Sequence, residues 1–143
     1  MKIYIIKLNK RNFIDLVRDK KTTGYSIISK SFLIFLKETK SKRIKRQTIE
    51  HELSHIFDFK INLKNKINKS EFKKVLIDKS FREYNKKLYN TSFKIREEYL
   101  ADLISYSIFG TKYEKKHIKT NYPKSFKIIN KEFRKFKYQL IYI

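Results

Sequence analysis

A chain of 143 residues can hold one domain with a hydrophobic core and is too short for two of ordinary size. Hydrophobic residues make up 41%, with twelve Phe and ten Tyr, which excludes a disordered chain in spite of a formal net charge of +22. Cysteine is absent, which excludes a disulfide framework and a thiolate metal site, and no apolar run approaches the length of a membrane span.

Residues 2–7, KIYIIK, are β-branched and aromatic and predict a strand. Their apolar part is shorter than the roughly seven residues of a signal-peptide core, so no secretory leader is expected. Residues 12–18 carry Phe13, Leu16 and Val17 at helical spacing, and residues 19–24 form a polar turn ending in Gly24, one of two glycines. Two further strands are expected at 24–29 and 32–37, joined as a hairpin across 29–31. Residues 37–46 hold six basic side chains and one acidic one; they read as a solvated loop and first helical turn, or as a substrate-facing surface.

Residues 46–58, RQTIEHELSHIFD, follow, and the rest of the chain is organised around them. His51, Glu52 and His55 spell H-E-x-x-H. On a helix, positions four apart stack on one face, so His51 and His55 present two imidazoles to a single ion such as Zn2+. Glu52 lies one step round, beside the ion and off the ligand spacing, where a carboxylate serves as the general base for water. Ile49, Leu53, Ile56 and Phe57 form the opposite, core-facing stripe.

Residues 61–70 are Lys- and Asn-rich and read as a loop; Ser70 is the expected cap of a helix that buries Phe72, Val75 and Leu76. Residues 81–90 fit either a helix continuation or an irregular segment. Thr91 or Ser92 caps a strong helix to Ile108, with Gly110 at the C′ position. A short helix is expected at 113–120, then a last one from Pro123 through Phe126, Ile129, Phe133 and Phe136, and an apolar tail at 138–143.

A catalytic zinc needs a third protein ligand. His117 is the only other histidine, in a Lys-rich stretch that favours a surface role. The helix after Ser92 offers Glu98, with Ala101, Asp102 and Ser105 on the same face. Ala101, the only alanine, allows close approach; Glu98 can bind the ion, and Asp102 can orient a histidine as a hydrogen-bond acceptor. Glu97 points about 100° away and reads as solvated.

HELSH at 51–55, EEYLAD at 97–102 and YPKSFKIIN at 122–130 together resemble the catalytic domain of the anthrax lethal factor-like zinc metallopeptidases, which include the Pro-Pro endopeptidases. The resemblance spans roughly 24–136 and rests on those three motifs. It implies zinc on His51, His55 and Glu98, Glu52 as base and Asp102 in support. It further implies a tyrosine that stabilises the oxyanion, for which Tyr89 is nearest, though upstream of the usual offset; Tyr84 or a purely structural tyrosine fits nearly as well. It also implies an edge strand that pairs with extended substrate, matched to 32–37 and so to Phe32, Ile34 and Phe35. Ser54 stands where the family often has glycine, and its small side chain still fits.

The expected architecture is α+β in a single domain, 1–143: a small, mostly antiparallel N-terminal sheet, a zincin-type H-E-x-x-H helix and a C-terminal helical subdomain. The expected activity is zinc endopeptidase, toxin- or effector-like, acting on a protein or peptide whose flanks the basic surface would prefer acidic. Two alternatives keep part of the pattern: a repressor-cleaving peptidase of a mobile element, and a basic nucleic-acid-binding protein with a structural or inactive zinc site. Lys outnumbers Arg by 29 to 7, as an AT-rich coding sequence would produce, so nucleic acid is expected to bind only non-specifically. Compartment, delivery route and oligomeric state are not written in these motifs.

Overall fold

In the computed structural model, residues 1–17, 22–28, 31–81 and 92–143 are described. The β-branched opening forms strand β1, Lys2–Leu8, and the next apolar runs form β2, Gly24–Ile28, and β3, Phe32–Lys37. Alternation sets their inner face: Ile3 and Ile5 of β1 and Ile34 and Leu36 of β3 are buried, with Ile5 registered opposite Ile34. Asn9 caps helix α1, Lys10–Val17, by accepting the Asn12 N–H at 2.8 Å, and Phe13 is the buried anchor of that helix.

The apolar tail becomes a fourth strand, β4, Gln139–Tyr142. The sheet order is β2-β3-β1-β4. β1 runs parallel to both β3 and β4, and only β2 and β3 pair antiparallel. The α+β class is as expected; the sheet is mixed rather than mostly antiparallel, because the strand between β3 and β4 is the chain's first. No helix among the described residues is long and apolar enough to cross a membrane.

Helix α2, Lys42–Ile61, is capped by Ser41, which accepts the Ile44 N–H. It stops where Asn62 takes a left-handed conformation (φ 59°), which asparagine tolerates better than most residues, and the Asp58 side chain accepts the Lys64 N–H. Ile49, Leu53, Ile56 and Phe57 are all buried, as their spacing requires.

Two compact units are present, Met1–Ile56 with Lys137–Ile143, and Phe57–Phe136. The second is helical: α3, Lys69–Val75; α4, Ser92–Phe109; α5, Lys112–Asn121; and α6, Pro123–Lys135. Its core contains Leu63, Val75, Leu103, Ile104, Ile118 and Ile129, all fully buried, and Phe57 packs on Phe133 and Phe136 at 5.3 and 4.9 Å. The stretch expected as a loop at 61–70 contributes buried Leu63 and Ile67 around a 3-10 turn, Leu63–Asn65. Asn68, not Ser70, caps α3, accepting the Glu71 N–H at 2.9 Å. Gly110 does not take a left-handed conformation; a Cβ there would collide with the Tyr106 carbonyl, so close packing, not a C′ turn, calls for glycine.

Candidate metal centre

The i, i+4 spacing on α2 puts His51 and His55 side by side. Their Nε2 atoms lie 3.2 Å apart, with the rings nearly perpendicular at 86°. At that separation both nitrogens could reach one metal ion. His51 is buried at 6% exposure, while His55 is half-buried. Between them Ser54 is buried and donates its hydroxyl to the Glu50 carbonyl at 2.8 Å, which satisfies the small polar side chain within its own helix.

Glu98 on α4 is the third residue of a group that could hold a metal ion. His51, His55 and Glu98 each offer one ligand atom, and these atoms all lie within 4.8 Å of one another. Two imidazoles and a carboxylate are a donor set of the kind that can hold a metal ion. Glu97 is half-buried rather than fully solvated, and Asp102 is completely buried one turn beyond Glu98, with Ala101 beside it at 1% exposure. His117 is not a member of the group. Tyr89 and its rival Tyr84 lie outside the described residues.

Glu52 is buried at 8% exposure. Its surroundings include a feature the sequence did not signal as functional. Gly24, at the start of β2, is the register partner of Leu36, so its missing Cβ would point to the sheet's buried face. There it would strike the Thr48 Cγ2 and lie 3.4 Å from the Glu52 Cγ. The Thr23 and Thr48 hydroxyls are 3.0 Å apart, tying the approach of β2 to α2. Gly24 is thus the glycine that lets a strand rest against the helix carrying the H-E-x-x-H residues; its rarity in the chain was the one available clue.

The expected substrate strand requires a correction. β3 is interior, bonded to β1 on one side and β2 on the other, so its backbone has no free edge for an extended peptide. Ile34 is completely buried, and Phe32 and Phe35 are half-buried. The edge next to α2 belongs to β2.

The basic stretch before the motif is mostly exposed. Arg46 pairs with Glu50 at 3.6 Å, and the Lys45 ammonium lies 5.6 Å from the Tyr142 ring centre.

The 122–130 motif has a structural role in the helical unit. Glu71 accepts the Ser125 N–H at 2.7 Å and the Lys124 N–H at 3.2 Å, capping α6 from α3. Tyr122 donates its hydroxyl to Asp78 at 2.6 Å, and His117 Nε2 meets the same carboxylate oxygen at 2.7 Å. Burial pushes the Asp78 carboxyl up, but hydrogen bonds from Tyr122, His117 and Ser80 outweigh it and hold it at about 2. Burial and the neighbouring Asp78 push the Tyr122 phenol well above its ordinary range. His117 is therefore an anchoring residue rather than a plain surface one.

No protein-family model matches the chain, and comparison with curated proteins and with solved structures finds no match.

Proposed function

We propose that the chain is a zinc-dependent endopeptidase of the glutamate-ligand type. The observation that carries this reading is the meeting of His51, His55 and Glu98 within 4.8 Å, with Glu52 buried one residue from His51. These three residues would hold Zn2+, which when bound would supply Lewis acidity toward a peptide carbonyl and toward water.

The remaining steps belong to the side chains. His51 and His55 would hold the ion through ring nitrogens, with the Glu98 carboxylate as the third donor. Glu52 takes the proton of the attacking water and returns it to the departing amine, serving first as base and then as acid. The buried stripe Ile49, Leu53 and Ile56 fixes the rotation of α2 and with it the direction of both imidazoles. An extended peptide would add to the outer edge of β2, whose first residue abuts Thr48 and Glu52.

Elemental analysis of the wild type and of Glu98→Ala tests the reading. One zinc per chain, greatly weakened in the variant, is the expected result. A wild-type protein that neither carries zinc nor takes it up on addition would overturn it.

A further inference from the structure

The net charge of +22 can come from composition alone; the arrangement of the charges on α6 is a separate observation. On α6 the exposed positions are Pro123, Lys124, Lys127, Lys131, Arg134 and Lys135, so every exposed side chain after the proline is a cation. At 100° per residue the five cations fall within an arc of about 100°, along roughly 17 Å of helix. None of the five has an ion-pair partner among the described residues.

Four acids of the same unit make contacts away from this face. Glu71 caps α6, Asp78 holds Tyr122 and His117, Glu114 closes a capping box with Thr111, and Glu132 pairs with Lys66 at 3.7 Å. None of these four carboxylates pairs with a cation of the α6 ridge.

We propose that the outer face of α6 docks the phosphate backbone of a nucleic-acid duplex. A duplex presents a negative charge about every 1.7 Å of its axis, and lysines meet phosphates as point charges without geometric demands. With Arg134 the single guanidinium on the face, the contact reads charge and not sequence. A membrane surface is the poorer fit, because α6 exposes no large apolar side chain to insert beneath headgroups. An acidic protein partner would need an apolar or aromatic anchor on the same face, and there is none. The surface is independent of the metal centre, and its test does not depend on peptidase activity.

The experiment compares two variants of the full chain that lose the same charge. One carries Lys127→Gln, Lys131→Gln and Lys135→Gln; the other carries Lys2→Gln, Lys7→Gln and Lys10→Gln, all exposed positions. Binding to a short labelled DNA duplex is followed by fluorescence anisotropy across a salt series. The α6 variant should lose about tenfold or more in affinity at physiological salt, and its salt slope should flatten by about 2–3. The control should stay within about threefold of wild type. Equal losses in both variants would overturn the proposal in favour of net charge alone. So would an α6 variant that keeps duplex binding and loses only its affinity for phosphatidylserine vesicles.

Discussion

Gly24 faces Thr48 so closely that a single added methyl would collide with the Thr48 Cγ2, while the Glu52 Cγ at 3.4 Å would remain in ordinary contact. The obstruction is therefore one methyl on a β-branched side chain whose hydroxyl is held by Thr23 at 3.0 Å. Gly24→Ala is expected to destabilise the protein by about 1–3 kcal/mol. Thr48→Ser keeps the hydroxyl and removes the methyl, so the double variant Gly24→Ala, Thr48→Ser should recover most of that loss. Urea unfolding of the four proteins measures the coupling. Additive losses would mean that another contact makes the position intolerant.

Acid should weaken the helical unit through Asp78. Its carboxyl is held at about 2 in the folded protein against an ordinary 3.8. A depressed folded value means the stabilisation is fully present above 3.8 and is lost as pH falls from there through about 2. Thermal melts across that window should show wild type losing stability faster than Asp78→Asn, which has no proton to take up. Parallel decline of the two proteins would show that the Tyr122 and His117 contacts to Asp78 do not contribute to folding.

What the sequence revealed follows from how local each feature is. His51, Glu52 and His55 were legible because one helix fixes their relation, and the strand alternation of Ile3 and Ile5 or Ile34 and Leu36 is equally local. Strand order is not local. Nothing near Phe32 says that its strand will be flanked on both sides, nor does anything near Leu140 say that it will pair with Ile3 from the other end of the chain. For the same reason the sequence does not show that β2, and not β3, lies at the sheet edge. Asn68 and Ser70 both suit the cap of α3 by residue type, and only the side-chain oxygen's reach to the Glu71 N–H decides between them. The Y-P-K-S segment drew attention as a family motif; its hydrogen bonds to Glu71 and Asp78 give it a folding role that no spacing could express.

Ser125 offers a stability test of the opposite sign. It is completely buried, and its hydroxyl has no hydrogen-bond partner among the described residues. Its backbone N–H still caps on Glu71. Ser125→Ala removes the orphan oxygen and nothing else, so the variant is expected to match or exceed wild type, by up to about 1–2 kcal/mol in chemical denaturation. Clear destabilisation would mean that the hydroxyl has a partner, such as an ordered water, that the variant takes away.

Zinc should stabilise the folded chain. A ligand that binds only the native state at a hundred times its Kd adds about 2.7 kcal/mol, which raises Tm by several degrees in a chain of this size. That rise should appear on adding zinc to chelator-treated wild type and vanish in the double variant His51→Ala, His55→Ala. If the double variant shifts as much as wild type, the metal binds elsewhere.

Glu52→Gln separates holding the metal from using it. Glutamine keeps the size and most of the packing of Glu52 against the Gly24 end of β2, so the fold and the proposed ligands His51, His55 and Glu98 should stay in place. What is removed is the ability to accept a proton from water and hand it on, a role that contributes roughly 10²–10⁴-fold in rate. The variant should therefore bind zinc and show the same zinc-dependent rise in Tm as wild type, while hydrolysis of a peptide library falls by at least about a hundredfold. Loss of both zinc and activity would place Glu52 among the residues that build the site instead of those that do chemistry. Retention of full activity would remove it from the reaction altogether and leave the H-E-x-x-H glutamate as a packing residue against β2.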